Sequence, residues 1–175
     1  MALVLPVKGI SPVWGSNCFI AQNSTIVGNV RIGDNCSVWF NSVIRGDVNY
    51  IEIGNNVNIQ DGVVIHCTYQ RSGTTIHDNV SIGHNALVHG CTLKNNTLIG
   101  MGAIVMDNAV VEEFTIIAAG AIVLENTICE TGHIYAGAPA KKIKPINEQQ
   151  RSLLQQLPKN YIMYASCFTG EEAEL

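Results

Sequence analysis

From residue 20 to residue 128 the chain places an aliphatic residue at almost every sixth position, with small and polar residues between. The run from Ile99 reads IGMGAI, VMDNAV, VEEFTI, IAAGAI, VLENTI, its blocks opening on Ile99, Val105, Val111, Ile117 and Val123. Earlier blocks open on Ile20, Ile26, Ile32, Val38 and Ile44, then on Ile53, Ile59 and Ile65, then on Ile76, Ile82 and Val88. The block from Val88 is one residue short, so the next opens at Leu93. A period of six fits neither an amphipathic helix, which repeats at about 3.6 residues, nor a single alternating strand.

The period fits a parallel β-helix of hexapeptide repeats, so the fold class read from the chain is mainly β with a triangular prism. Each block supplies a short strand and a corner, and three blocks close one coil. The opening aliphatic points inward and stacks on its equivalent in the next coil, about 4.8 Å away. Gly33, Gly54, Gly83 and Gly100 follow opening residues, where a tight corner tolerates little side chain. Asn and Asp crowd the turns, where their short side chains bond local backbone. Two interruptions break the count. Nine residues separate Ile44 from Ile53, and eleven separate Ile65 from Ile76, the latter insertion lying around Tyr69-Gln70-Arg71-Ser72-Gly73. Both insertions are expected to leave the solenoid as surface loops.

After the repeats, Tyr135 to Ile143 predicts an extended exit. Asn147, with Gln150 three residues on, is a capping box that starts a helix. Leu153, Leu157, Tyr161, Tyr164 and Phe168 form an apolar stripe expected to pack on the β-helix flank, and Pro158 predicts a kink or two short helices. The domain reading is therefore residues 1–143 as β-helix with an N-terminal strand or cap, and residues 144–175 as the C-terminal helix. The acidic end from Gly170 to Leu175 is expected to fray.

Composition narrows the function. Charged residues make up only 14% of the chain, where about 25% is usual, so some faces are expected to be hidden in subunit contacts. The net charge of −4, without a long run of one sign, offers nothing to nucleic acid. No apolar run reaches the roughly 20 residues of a membrane span, and no signal peptide is visible. The six cysteines form no CxxC pair. A cytoplasmic protein with reduced thiols is the expectation.

The register lines up three of the five histidines. His66 and His89 each follow the opening aliphatic on the same face of successive coils, so they stack in one column and point outward. Arg45 holds the equivalent slot one coil earlier, and Cys67 that of Gly46 and Gly90. Two imidazoles spaced by one coil can converge on one ion, because Zn–N bonds run about 2.0–2.1 Å. His84 lies on another face, with Asp61 one coil before it. One chain cannot easily bring all three rings to one ion, but a neighbour can. If each subunit gives His66 and His89 to one site and His84 to the next, the contact is heterologous and closes into a ring of three. His77 and His133 lack stacked partners and read as surface residues.

The stretches Ile44-Arg45-Gly46-Asp47, Asn58-Ile59-Gln60-Asp61, Ile65-His66, Ser81-Ile82-Gly83-His84 through His89-Gly90-Cys91, and Leu98 to Ala103 resemble the gamma-class carbonic anhydrases. The likeness extends over most of the chain, through the Ala-Pro-Ala-Lys exit and the C-terminal helix. It implies a left-handed β-helix, a hand the period alone does not determine, and a homotrimer acting on CO2 and bicarbonate. It implies His66, His84 and His89 as ligands of Zn2+, with Fe2+, Co2+ and Ni2+ equally suited to three imidazoles. By the same resemblance Arg45 and Asp47 bridge subunits near the site, Gln60 orients metal-bound water or hydroxide, Asp61 stands behind the ligands or at the interface, and Tyr161 approaches the metal from the C-terminal helix. Each has a plainer reading too: a structural ion pair for Arg45 and Asp47, a turn amide for Gln60, a turn residue for Asp61, and a stripe residue for Tyr161.

The implied activity is reversible hydration of CO2 by hydroxide on a metal that lowers the pKa of its water to about 7, a general property of zinc carbonic anhydrases rather than one read from this chain. The chain departs from the best-characterised active members of the family, which carry an acidic loop and a glutamate after the Arg-Gly-Asp-like stretch. Here Val48 follows Asp47, and the loop after His66 reads Cys-Thr-Tyr-Gln-Arg-Ser-Gly. Slow proton export and weak turnover are the expectation. Three other functions stay open: an acyl-CoA-dependent acyltransferase on the same fold, a metal-dependent thioesterase, and a non-catalytic metal-binding scaffold.

Overall fold

A computed structural model describes residues 1–169; the acidic end expected to fray lies outside the described residues. The aliphatic repeat becomes three columns of parallel strands. One face stacks Phe19–Ile20, Ser37–Val38, Asn58–Ile59, Ser81–Ile82, Leu98–Ile99, Ile116–Ile117 and His133–Ala136, seven levels in parallel register. A second face stacks the start of Val43–Ile53 on Val64–His66, Leu87–His89, Ile104–Val105 and Ile122–Val123. The third runs from the end of Val43–Ile53 through Thr74–Ile76, Thr92–Leu93, Val110–Val111 and Ile128–Cys129. The opening residues form the core: Ile44, Ile59, Ile65, Ile82, Val88, Ile99, Val105, Ile117 and Val123 are each fully buried. Burying such a side chain stabilises the fold by about 1.5–3 kcal/mol.

The corners show why asparagine recurs. Asn17, Asn35, Asn56 and Asn79 all have positive φ, a region that suits Asn better than most residues. Their amides form a ladder along the corner, Asn17 donating to Asn35, Asn35 to Asn56, and Asn56 to Asn79 at 3.0–3.3 Å. The short side chains thus bond the next coil as well as their own turn.

The two insertions behave differently. The first is no loop. Val43–Ile53 runs as one eleven-residue strand through the corner, paired with Thr25–Ile32 across a register shift between Gly28 and Val30. The three extra residues are taken up as a bulge: Gly28 pairs with Gly46 and Val30 with Ile51, so Asn29 alone stands opposite the stretch from Asp47 to Tyr50. The backbones stay close enough that a Cβ on Gly28 would lie 2.4 Å from the Gly46 carbonyl oxygen. The second insertion does leave the solenoid, closed at its neck by the Thr68–Ser72 bridge.

The exit strand Lys141–Pro145 folds back antiparallel on His133–Ala136. The C-terminal helix spans Glu148–Thr169, and its capping box is formed: Asn147 N–H donates to Gln150 Oε1 at 2.9 Å, and Gln150 N–H to Asn147 Oδ1 at 2.8 Å. Pro158 does not divide the helix. It lacks one N–H, but its ring is buried against the β-helix, and that packing offsets the lost hydrogen bond. The buried face also differs from the expected stripe. Leu154, Pro158 and Ala165 are buried with Leu157 and Tyr161 half-buried, whereas Leu153 and Tyr164 are exposed. Phe168, though largely exposed, packs its ring on Phe19, Trp39 and Phe40 at 5.3–5.8 Å, as expected of the stripe. The helix contacts Phe19–Ile20, Ser37–Val38 and Ser81–Ile82, so it covers one prism face of its own chain. The outward Ser37, Asn58 and Ser81 are consequently buried, and they are satisfied by one another and by neighbours: Trp39 Nε1 donates to Ser37 at 3.0 Å and Asn58 to Ser81 at 2.7 Å. Among the described residues no helix is long and apolar enough to cross a membrane.

Candidate metal centre

His66 and His89 are direct partners across the parallel ladder of Val64–His66 and Leu87–His89. Thr74 secures that pairing from behind. Its hydroxyl donates to the His66 carbonyl at 2.6 Å and accepts from Gly90 N–H at 3.0 Å. The two rings lie 5.1 Å apart, with His66 Nδ1 3.1 Å from His89 Nε2. Two donors on a tetrahedral zinc ion with the usual bond lengths stand about 3.3 Å apart, so this pair matches one edge of such a site.

Each imidazole is backed by a carboxylate. Asp47 Oδ1 lies 3.0 Å from His66 Nε2, and its other oxygen takes an ion pair from Arg45 of the same chain. Burial pushes the Asp47 carboxyl up, but hydrogen bonds from His66 and Arg45 outweigh it and hold the group below the usual carboxylate range. Asp107 Oδ1 lies 2.6 Å from His89 Nδ1, and Thr68 Oγ1 donates to Asp107 Oδ2 at 2.6 Å. Here too burial raises the pKa, and the hydrogen bonds from Thr68 and His89 prevail and lower it. Such carboxylates set ring orientation and make the opposite nitrogen a better ligand.

His84 does not join the pair. It sits in the turn after Ser81–Ile82, with Nδ1 3.0 Å from Asp61 Oδ2, both side chains about two-fifths exposed. Among the described residues no three His, Cys, Asp or Glu side chains of one chain surround a point that could hold an ion. The donor set on one chain is therefore a pair plus a single imidazole, each with a carboxylate partner. Neutral imidazoles with a free nitrogen suit a divalent transition metal.

The remaining candidates gather near His84 rather than near the pair. Gln60 is buried and its amide donates to Asn58 Oδ1 at 3.0 Å, which holds it one residue before Asp61. Tyr161 packs edge-on to Trp39 at 5.7 Å. Its phenol is raised by burial and by the nearby Asp61 charge, so it stays a neutral hydrogen-bond donor. His133 Nδ1 bonds the Thr131 carbonyl at 2.8 Å, and His77 lies on a different face from the pair. Cys67, Cys91 and Cys129 are buried thiols, none of them paired.

Sequence reasoning missed Asp107 and the loop residues around it. Asp107 is the third residue of the block opened by Val105, one coil above Gly90. The register signals its height in the solenoid, but only the fold shows that Gly90 leaves room for its carboxylate: a Cβ there would meet Asp107 Oδ1 at 2.3 Å. Asp107, Thr68, Arg71 and Glu125, with His89, Leu87, Ile104 and Met106, line a cavity of ≈ 330 Å³ beside the pair.

Comparison with known proteins identifies the family. Residues 15–46 match the family described as bacterial transferase hexapeptide (six repeats). The chain is 44% identical over 160 residues to a carbonic anhydrase of Geobacillus kaustophilus, covering 91% of this chain and 87% of that one. It is 37% identical over 169 residues to the mitochondrial gamma carbonic anhydrase 2 of Arabidopsis thaliana, covering 94% of this chain but only 61% of the plant protein's length. The crystal structure of a hexapeptide transferase family protein from Anaplasma phagocytophilum superposes with a TM-score of 0.91 at 42% identity, covering 95% of this chain and 98% of that one. With its repeats folded as a left-handed β-helix and its identity to these relatives sustained over nearly the whole chain, this protein belongs to the gamma-class carbonic anhydrase family.

Proposed function

We propose that this chain forms a homotrimer that hydrates CO2 reversibly at a metal shared between adjacent subunits, with His66 and His89 from one and His84 from the next. The observation that carries the reading is the His66–His89 pair: two ring nitrogens 3.1 Å apart, one ring held by Asp47 and the other by Asp107. A third imidazole is wanting on the same chain, and His84, with Asp61 behind it, stands exposed on a neighbouring face. Outward apolar residues along the histidine face, among them Val64 and Leu124, support burial of that face against a neighbour.

When bound, a divalent ion such as zinc supplies a Lewis acid that makes water a nucleophile at neutral pH. The chain's own groups bind and orient. Asp47 and Asp107 fix the paired rings, and Asp61 does the same for His84. Gln60, buried and anchored by Asn58, presents a rigid amide beside Asp61, suited to orient a small polar reactant. Tyr161, kept neutral, closes the same side with an O–H donor. The reaction releases one proton for each CO2 hydrated. Asp47, a quarter exposed, and Asp61, about two-fifths exposed, are the carboxylates near the rings that can pass it to solvent.

Elemental analysis of freshly purified protein, paired with CO2-hydration kinetics before and after chelation, tests the reading. Stoichiometric metal with chelation-sensitive hydration supports it; metal-free protein with no gain on adding zinc sinks it. The likeness to a structure described as a transferase family protein favours one second reading, acyl transfer from an acyl-thioester donor. Acetyl transfer that survives chelation would identify that activity. Hydrolysis of acyl thioesters that needs the metal would instead identify a thioesterase, and metal-replete protein lacking all three activities a scaffold.

A further inference from the structure

The inserted loop after His66 turns three of its side chains onto one carboxylate. Thr68 Oγ1 donates to Asp107 Oδ2 at 2.6 Å, Arg71 Nη1 stands 4.0 Å from the same oxygen, and the fully buried Ser72 hydroxyl lies beside the group across Gly90. Arg71 is bound more tightly elsewhere, by Glu125 at 2.6 Å. Asn49 holds the loop's neck by donating to the Thr68 carbonyl at 3.1 Å. The side chain of Asp107 is only 7% exposed, and its free oxygen meets His89 Nδ1 at 2.6 Å.

An ionised carboxylate only accepts hydrogen bonds, and a neutral imidazole carries a single N–H. A contact of 2.6 Å with the carboxylate therefore places that hydrogen on His89 Nδ1 and leaves Nε2 with its lone pair. Nε2 is the atom that faces His66. The loop supplies what the bare solenoid turn lacks. Without Thr68, Asp107 Oδ2 loses its 2.6 Å hydroxyl donor and keeps only the more distant Arg71, so the carboxylate is held less firmly against His89. Asp47 on His66 is built differently: it is a quarter exposed, and its second oxygen is shared with the half-exposed Arg45.

We propose that Asp107 is a positioning residue that locks His89 in the Nδ1–H tautomer, and that the Thr68–Gly73 loop is the clamp that keeps it there. The proposal deepens the metal-centre reading above and rests on it for its consequence, tighter metal binding. The tautomer itself is a property of the metal-free chain.

The experiment uses the full-length protein labelled with 15N-histidine. In metal-free wild type the His89 ring should show its N–H at Nδ1. Asp107→Ala should shift the ring toward the Nε2–H form, whereas Asp107→Asn, which keeps a carbonyl acceptor, should restore Nδ1–H. Zinc affinity, read by chelator competition, should fall about 10–100-fold in Asp107→Ala, the usual effect of removing a partner behind a ligand, and less in Asp107→Asn. Thr68→Val should move both readouts in the same direction by a smaller amount. Glu125→Gln, which alters the other partner of Arg71, should move neither. A folded Asp107→Ala protein with an unchanged His89 tautomer, or with undiminished zinc affinity, overturns the proposal. If Asp107→Ala does not fold, Thr68→Val decides the matter on the same two readouts, and no change in either overturns it. Wild-type protein that takes up no zinc would defeat the metal reading alone, since the tautomer comparison still tests Asp107.

Discussion

Subunit mixing gives the sharpest test of a shared site. His66→Ala removes one member of the stacked pair, and His84→Ala removes the single imidazole on the other face. Both rings are partly exposed, His66 at 18% and His84 at 40%, and neither lies in the aliphatic core, so both variants should fold. Each alone leaves every site with two imidazoles. Loss of a group merely behind a ligand already costs about 10–100-fold, so loss of a ligand should cut metal occupancy and CO2 hydration by at least that factor. In trimers assembled at random from equal amounts of the two variants, each interface takes its histidine pair from one chain and its single histidine from the next. The chance that both are intact is one half times one half, so about a quarter of the interfaces should regain a complete set. Hydration kinetics and bound zinc per subunit, measured after co-expression or joint refolding, should both recover to roughly that fraction of wild type. A mixture of His66→Ala and His89→Ala is the control. Those two rings must come from one chain, so no interface can be complete. Recovery in the control, or none in the test mixture, refutes the arrangement.

Gly90→Ala should lower thermal stability, since its φ is +55° and the new Cβ would sit 2.3 Å from both Asp107 Oδ1 and Ser72 Oγ; strain of about 1–3 kcal/mol is expected, and an unchanged Tm would rule it out. Asn147→Ala removes one half of the capping box and should cost about 1 kcal/mol in urea melts. Acid stability should depend on Asp107, whose folded pKa is depressed. That depression contributes stability above the unfolded value of about 3.9 and is lost as pH falls through the folded pKa. Between about pH 5 and 2 the urea midpoint of metal-free protein should therefore fall less in Asp107→Asn than in wild type. Cys18, which is only partly buried, should alkylate ahead of the buried Cys67, Cys91 and Cys129, whose thiols burial pushes up; peptide mapping after brief iodoacetamide treatment reads the order.

What the sequence by itself determined is whatever depends on period and stacking. An aliphatic residue at every sixth position has no other way to be buried than in a prism of repeated coils, so the core, the three faces and the direct pairing of His66 with His89 were all legible. The helix start was legible for the same local reason, because Asn147 and Gln150 bond each other's backbone N–H groups. What only the tertiary structure decided is whatever depends on how far an interruption displaces the chain. The two insertions diverged: three extra residues fitted as a bulge within the strand Val43–Ile53, whereas five left the solenoid as a loop closed by the Thr68–Ser72 bridge. The side of the helix that is buried followed from the shape of the prism face, which admits Leu154, Pro158 and Ala165 and leaves Leu153 and Tyr164 outside. Asp107 lay hidden for a related reason. Its distance from His89 is set by a glycine on one coil and a loop from another, groups that come together only when the solenoid closes around them.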